Sequence, residues 1–472
     1  MKQKAIILGA GITGLSAAWK LSENGYQVKI IEKEKFTGGM SATFKHKDYY
    51  LDFGPHKIFT VLDNIKAELD ELYKDEKLLE IQKSSKVRLN GKYIKFPFGI
   101  ADIIFGLGVL TGFKCGIGYF FALLKNIFIK KESQSYQEWV VNRFGKATYD
   151  LVLGPYAWKV WGNPDELSAE LAETRIAAPN LMEMIKQIIL GQKKDSPVIN
   201  AEVFQYPQKG FGDIGDKILN RIKKNRGKVQ VGLSAKKIEL DKDNNIKKII
   251  YNDDTFDVIS DNDVVISTIP LAVLVNLLPQ GFKKRLSVSC DGLKNRRLIL
   301  LYIVFQTERI ITDNWLFFPE AKYSFNRIFE QKAFNENMVP DDKTVICIEI
   351  TCDQNDPLWN SSDQEVYKHV EAQLKEADLL DNPVIEVFTK RIENGYPIYD
   401  KSYKKNLFTA MNDLNIINNL YSVGRQGGFS YTGMADSMDI GISTAGFVIN
   451  KFIKQKEWIP YTEKFYNYVV VD

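Results

Sequence analysis

The opening forty residues constrain this chain more than any later stretch. Ala5 to Leu8 is a short apolar run, right for a buried parallel strand, and it leads directly into Gly9-Ala10-Gly11-Ile12-Thr13-Gly14. Leu15 to Asn24 reads as a helix stopped by Asn24-Gly25, and Gln27 to Ile31 as a second strand ending in Glu32. A βαβ unit of this length with glycines at this spacing is the shape a dinucleotide site requires. Gly9 permits the tight turn, Gly11 lets the backbone approach a pyrophosphate, and Gly14 lets helix and strand pack closely. The helix N-terminus offers N–H groups and a positive dipole end to phosphates. Glu32 is placed to accept from a ribose hydroxyl. Lys2 and Lys4 before an apolar run imitate a leader peptide, but the glycine spacing marks the segment as folded protein.

The remaining sequence limits what that unit is attached to. The chain has 472 residues, enough for two or three domains or for one domain with large insertions. Its 63 Lys+Arg and 59 Asp+Glu are spread along the length, which argues against a nucleic-acid partner. Three histidines (His46, His56, His369) are too few for a His-rich metal site. Four cysteines without a CxxC pair argue against a zinc site or a disulfide framework and point to a reducing, cytoplasmic compartment. No metal is expected. The 28 Phe and 22 Tyr suit deep clefts as well as a large core.

Further elements follow from pattern. Asp263 to Pro270 reads as a central strand. Leu420 to Gly424 reads as a strand entering a glycine turn, and Gly433 to Ile449 as a helix. Lys86 to Phe96 reads as a hairpin around Asn90-Gly91. Residues 100–200 are helix-rich, and Leu298 to Glu393 holds the β-rich runs of an antiparallel sheet. The expected fold class is α/β: a Rossmann-like dinucleotide-binding domain with a helical insert and an antiparallel β-sheet substrate domain. Its divisions are 1–85 with 205–275 and 415–455 as a discontinuous cofactor domain, 86–204 as a helical substrate or oligomerisation domain, 276–414 as the substrate sheet, and 456–472 as a tail. Phe98 to Leu124 is unusually apolar; Asp102 and Lys114 argue against a clean span, leaving a pair of buried helices or an interfacial membrane contact.

Beyond these patterns, Gly38-Gly39-Met40-Ser41-Ala42 resembles the second glycine pair of the FAD-dependent amine oxidase/protoporphyrinogen oxidase superfamily, which includes UDP-galactopyranose mutase. Several segments are similar to the mutase branch, in order. They are Tyr50 to Phe59 (YLDFGPHKIF), Leu89 to Phe98 (LNGKYIKFPF), Pro155 to Trp161 (PYAWKVW), Arg175 to Asn180 (RIAAPN), Phe204 to Gly212 (FQYPQKGFG), and Trp315 to Glu320 (WLFFPE) with Phe325-Asn326-Arg327.

The resemblance implies FAD held by Gly9, Gly11, Gly14, Glu32, Gly38, Gly39, Met40, Ser41, Gly54, His56, Gly424, Asp439 and Ile440. It implies His56, Arg175 and Arg327 as catalytic, with the two arginines clamping a diphosphate. It implies Phe96, Tyr156, Trp161, Phe317 and Arg425, beside those arginines, as substrate-binding. The activity it implies is that of a sugar-nucleotide mutase in cell-surface glycan synthesis. There the flavin, reduced by NAD(P)H, attacks the anomeric carbon of an anionic nucleotide sugar through N5. The alternative is an oxidoreductase taking hydride from a bulky apolar substrate. Departures cluster where the mutases hold the nucleotide: Ala157 stands for an asparagine, Gly99 for a glutamine, Phe317 for a tyrosine, and Gly424 to Phe429 (GRQGGF) for a more polar turn.

Overall fold

The computed structural model describes residues 3–96, 106, 108–128, 132–176 and 202–469. Two sheets organise it. The first is parallel and five-stranded, in the order Leu420–Ser422, Val264–Ser267, β1 (Lys4–Leu8), β2 (Gln27–Glu32) and Lys228–Val231. These strands are short and mostly buried, because helices cover such a sheet. Between β1 and β2 runs α1 (Ile12–Glu23), which begins within the glycine turn rather than after it. Helix Met434–Ile449 lies against α1. A three-stranded antiparallel sheet (Ala235–Leu240, Ile246–Tyr251, Phe256–Val258) follows Lys228–Val231.

The second large sheet has seven strands, in the order Val384–Pro397, Asn295–Phe305, Thr344–Cys352, Arg327–Glu330, Trp315–Phe317, Ser85–Leu89 and Lys92–Lys95. All its pairings are antiparallel except Trp315–Phe317 with Ser85–Leu89. Strand Asn295–Phe305 is apolar on both faces, for a reason visible in its alternation. Ile299, Leu301 and Ile303 pack with Val366, Val370 and Leu374 of helix Asp363–Glu376, while Leu298, Leu300 and Tyr302 join the core shared with the parallel sheet.

Three expectations are revised. The hairpin at Asn90-Gly91 forms, with φ of 50° and 75° at its two turn residues, but it completes the seven-stranded sheet instead of the helical segment. Its edge pairs with Trp315–Phe317, a long-range partner that local pattern does not show. The residues after 455 are no loose tail: Trp458 and Phe465 are buried in the main core, with Trp458 edge-on to Tyr421. In the apolar stretch, helix Val109–Phe128 is not buried: Leu110, Phe113 and Phe121 are largely exposed. Gly99 and most of Phe98 to Gly108 lie outside the described residues, as do Ala177 to Asn180. Among the described residues no helix is long and apolar enough to cross a membrane.

Candidate functional site

The glycine turns create one end of the site. Gly9 has φ of 101°, a conformation that L side chains rarely adopt, and its N–H donates to Ile31 O at 2.8 Å. A Cβ on Gly14 would collide with the carbonyl oxygen of Gly9, so only glycine lets α1 start this close to β1. The second glycine pair lies against the first: Gly38 N–H donates to Ala10 O at 2.8 Å, and Gly11 and Gly38 form a parallel bridge. Glu32 closes the arrangement. Its carboxylate accepts from the N–H of Ala10 at 2.7 Å and from the N–H of Glu34 at 2.9 Å, which fixes it at the end of β2. The first-turn N–H groups of α1 have no acceptor inside the helix. This cradle fits the diphosphate and ribose of a dinucleotide.

A cavity of about 640 Å³ continues from the cradle to the seven-stranded sheet. Of the sequence-predicted residues it brings together Gly9, Gly11, Glu32, Gly38, Gly39, Met40, Ser41, Gly54, His56, Arg175, Arg327 and Arg425. The three arginines come from different parts of the fold. Arg327 opens strand Arg327–Glu330 and makes a two-pronged contact with Glu349 of the neighbouring strand: Nε donates to Oε2 at 3.1 Å and Nη2 to Oε1 at 3.0 Å. The Tyr396 hydroxyl donates to the same carboxylate at 3.1 Å. Arg175, at the end of helix Ala169–Arg175, and Arg425, in the turn after Leu420–Ser422, share one ring. Their guanidinium carbons lie 4.1 and 4.7 Å from the Tyr431 centroid. Arg425 is held by the carbonyls of Thr432 and Gly395, at 2.8 and 2.9 Å. Burial lowers its pKa, and the nearby Arg175 adds to the effect.

His56 stacks on Phe211 with centroids 4.8 Å apart. Burial, then Arg327, then Arg425 push its pKa down to about 3, so the imidazole is neutral at physiological pH. The Gly54-Pro55-His56 turn is anchored by Asp52, which accepts from Thr43 Oγ1, the Tyr206 hydroxyl and the Phe211 N–H. Burial raises this carboxyl to about 6. His56 Nδ1 and Arg425 Nε are buried polar atoms without a hydrogen-bond partner among the described residues. Such atoms suit a polar, anionic ligand.

Other predicted residues stand elsewhere. Gly14 and Gly424 lie behind the cavity wall, packed against Gly9 and Thr13. Asp439 turns away from the cavity: its carboxylate accepts from Asn64 Nδ2 at 2.7 Å and from the Tyr468 hydroxyl. Ile440 is fully buried in the main core. The close contact of Gly441 with Thr13 O turns the other face of helix Met434–Ile449 to α1, which is why Asp439 is directed to Asn64. Phe317 makes edge-on ring contacts with Phe96 at 5.6 Å and with Tyr156 at 5.7 Å, and the three are not part of the cavity lining described above. Trp161 supports the wall from behind, donating through Nε1 to the Tyr431 hydroxyl at 3.3 Å.

Sequence reasoning missed Glu349, Tyr396, Tyr431 and Asp52. A signal existed for Glu349: it is the single charge in the buried run Thr344 to Cys352. Tyr431 carries no comparable mark, because one of the two guanidiniums that define it, Arg175, is remote in sequence.

Comparison with known proteins agrees with this architecture. Residues 7–72 match the model of an NAD(P)-binding Rossmann-like domain. A 1-hydroxycarotenoid 3,4-desaturase of Flavobacterium sp. is 42% identical over 73 residues, 16% of this chain and 14% of that protein. The mitochondrial protoporphyrinogen oxidase of Nicotiana tabacum is 25% identical over 195 residues, 40% of this chain and 38% of that one. The chain thus matches well under half the length of these relatives. Likeness of fold extends much further. A reduced UDP-galactopyranose mutase superposes with a TM-score of 0.82 at 22% identity, covering 99% of this chain and 100% of the other. A protein described as a putative protoporphyrinogen oxidase, from Exiguobacterium sp. 255-15, superposes with a TM-score of 0.74 at 17% identity, covering 96% and 100%. The chain therefore has the fold of UDP-galactopyranose mutase and of the putative protoporphyrinogen oxidase, opened by a Rossmann-like dinucleotide-binding unit.

Proposed function

We propose that the protein is an FAD-dependent, mutase-like enzyme acting on an anionic nucleotide sugar in cell-surface glycan synthesis. The observation that carries this reading is the convergence of Arg175, Arg327 and Arg425 on a cavity continuous with the dinucleotide cradle. Three guanidiniums brought to one cavity favour an anionic ligand, such as a diphosphate. The cradle residues Gly9, Gly11, Gly38, Gly39 and Glu32 would hold the FAD; once reduced by NAD(P)H, that cofactor supplies a nucleophilic nitrogen.

The protein's own residues have separable tasks. Arg175 and Arg425 bind the diphosphate and, with Arg327, disperse the charge that grows on the departing nucleotide. Glu349 and Tyr396 orient Arg327. His56, kept neutral, offers an imidazole lone pair or N–H without adding positive charge beside the cofactor. The four cysteines are buried and unpaired, which fits a cytoplasmic setting.

The test is anaerobic. The purified protein is reduced with dithionite, offered UDP- and dTDP-sugars, and treated with cyanoborohydride. A covalent cofactor–sugar product detected by mass is expected. Failure with every nucleotide sugar, together with bleaching of the oxidised cofactor by an apolar substrate, would establish the second reading, an oxidoreductase working by hydride transfer. That alternative has one specific support. Ala157, where the mutases place an asparagine that helps hold the uridine, is apolar and fully buried, and Phe317, where they place a phosphate-directed tyrosine, lies edge-on to Tyr156 and carries no hydroxyl.

A further inference from the structure

Helix Val109–Phe128 inverts the usual pattern of a surface helix. Its inward side is made of small residues: Gly112, Cys115 and Ala122 are buried, and Gly118 approaches Ala147. Its large apolar residues point out. Leu110 is 81% exposed, Phe113 66%, Phe120 57% and Phe121 63%, with Ile117 and Leu124 between them. At about 100° per residue these six fall within an arc of about 100°, one continuous stripe along the helix. Lys114 and Lys125 are exposed at one edge of that stripe, and Lys125 also reaches Asn142 Oδ1 at 3.2 Å. In sequence, residues 103–131 contain Lys114, Lys125, Lys130 and Lys131 and no acidic residue.

From this we infer that the helix docks the protein on an anionic lipid surface, lying in the interfacial plane with its phenylalanines among the acyl chains and its lysines at the headgroups. Two arguments select lipid over a second copy of the chain. From Leu110 to Leu124 the stripe is about 20 Å long and about 10 Å wide, near 200 Å², well short of the roughly 800 Å² each partner contributes to a stable protein interface. The charge bordering it has one sign, which complements an acidic membrane and would repel itself across a symmetric dimer. The helix does not need to span, and no described helix does. Docking of this kind would set the enzyme beside lipid-anchored acceptors or donors while leaving the cavity in the cytosol.

The test is flotation of the full-length protein with vesicles of phosphatidylcholine alone and of phosphatidylcholine with phosphatidylglycerol. Partition to the anionic vesicles is expected to exceed that to the neutral ones by about tenfold and to fall with added salt. The triple variant Phe113→Ser/Phe120→Ser/Phe121→Ser should lose at least about tenfold in partition with unchanged cofactor content and melting midpoint. Lys114→Glu, at an exposed position that cannot disturb the core, should lower binding to the anionic vesicles alone. The inference is overturned if the wild type floats with neither vesicle, if the triple variant floats as well as wild type, or if the serines convert a self-associating protein into a monomer without affecting flotation. None of these readouts depends on the sugar chemistry.

Discussion

One cavity has two ends, and they are built from different material. The cradle is backbone: turns at Gly9, Gly11, Gly38 and Gly39, all within forty residues, joined by N–H to carbonyl bonds. The arginine end is side chain: Arg175, Arg327, Glu349, Arg425 and Tyr431 come from five separate segments spread from residue 175 to residue 431. At Gly9, Gly38 and Gly39 a positive φ and close neighbours exclude a Cβ, so the sequence there is tightly limited. A side-chain site can be rewritten one residue at a time on an unchanged scaffold. Of the departures, Arg425 and Gln426 line the cavity, whereas Ala157 and Phe317 do not.

This contrast can be broken by substitution. The largest effect is expected for Gly14→Val, which drives a branched side chain into the Gly9 carbonyl. It should cost at least about 3 kcal/mol and yield protein without bound cofactor, read from the visible absorbance and a thermal melt. A yellow, stable G14V protein would mean that the cradle is not limited by close approach. Next comes Glu349→Ala. It removes the carboxylate that grips Arg327 by two prongs in a nearly closed site and should lower stability by about 3 kcal/mol in denaturant unfolding, while Glu349→Gln, which keeps one acceptor, costs less. If alanine and glutamine behave alike, the pair is not what holds Arg327.

Arg327→Lys sharpens the division between the two ends. Lysine keeps the charge but loses the fork, so nucleoside diphosphate affinity should drop about tenfold, about 1.4 kcal/mol, with cofactor content unchanged. Parallel loss of cofactor would move Arg327 to the other end of the cavity. At neutral pH the smallest effect belongs to His56, whose contribution appears only on acidification. The His56 pKa is about 3 in the fold against about 6.5 unfolded, so the unfolded chain takes up the extra proton. Stability of the wild type relative to His56→Gln should therefore be full above pH 6.5. It should fall by up to about 1.4 kcal/mol per pH unit as pH drops towards 3. A flat difference between the two proteins over that range would show that His56 titrates normally.

How much could be read in advance follows the same division. The turn at Asn90-Gly91, the strands at Asp263 to Pro270 and Leu420 to Gly424, and the glycine cradle were all legible, because each is specified by residues adjacent in the chain. The assignment of the hairpin failed because its partner, Trp315–Phe317, is more than two hundred residues away. Asp439 was misplaced because the rotation of its helix is set by the contact of Gly441 with Thr13, which no local pattern encodes.

By itself the sequence determined the βαβ cradle and the identity of the three arginines, since glycine spacing and guanidinium chemistry are properties of the chain. Only the tertiary structure decided that Arg175 and Arg425 share Tyr431, that Arg327 is tied to Glu349, and that a helix of large apolar residues faces outward. The physical reason is range. Backbone conformation follows from neighbours in sequence, whereas burial, charge pairing and side-chain direction are fixed by what packing brings from afar.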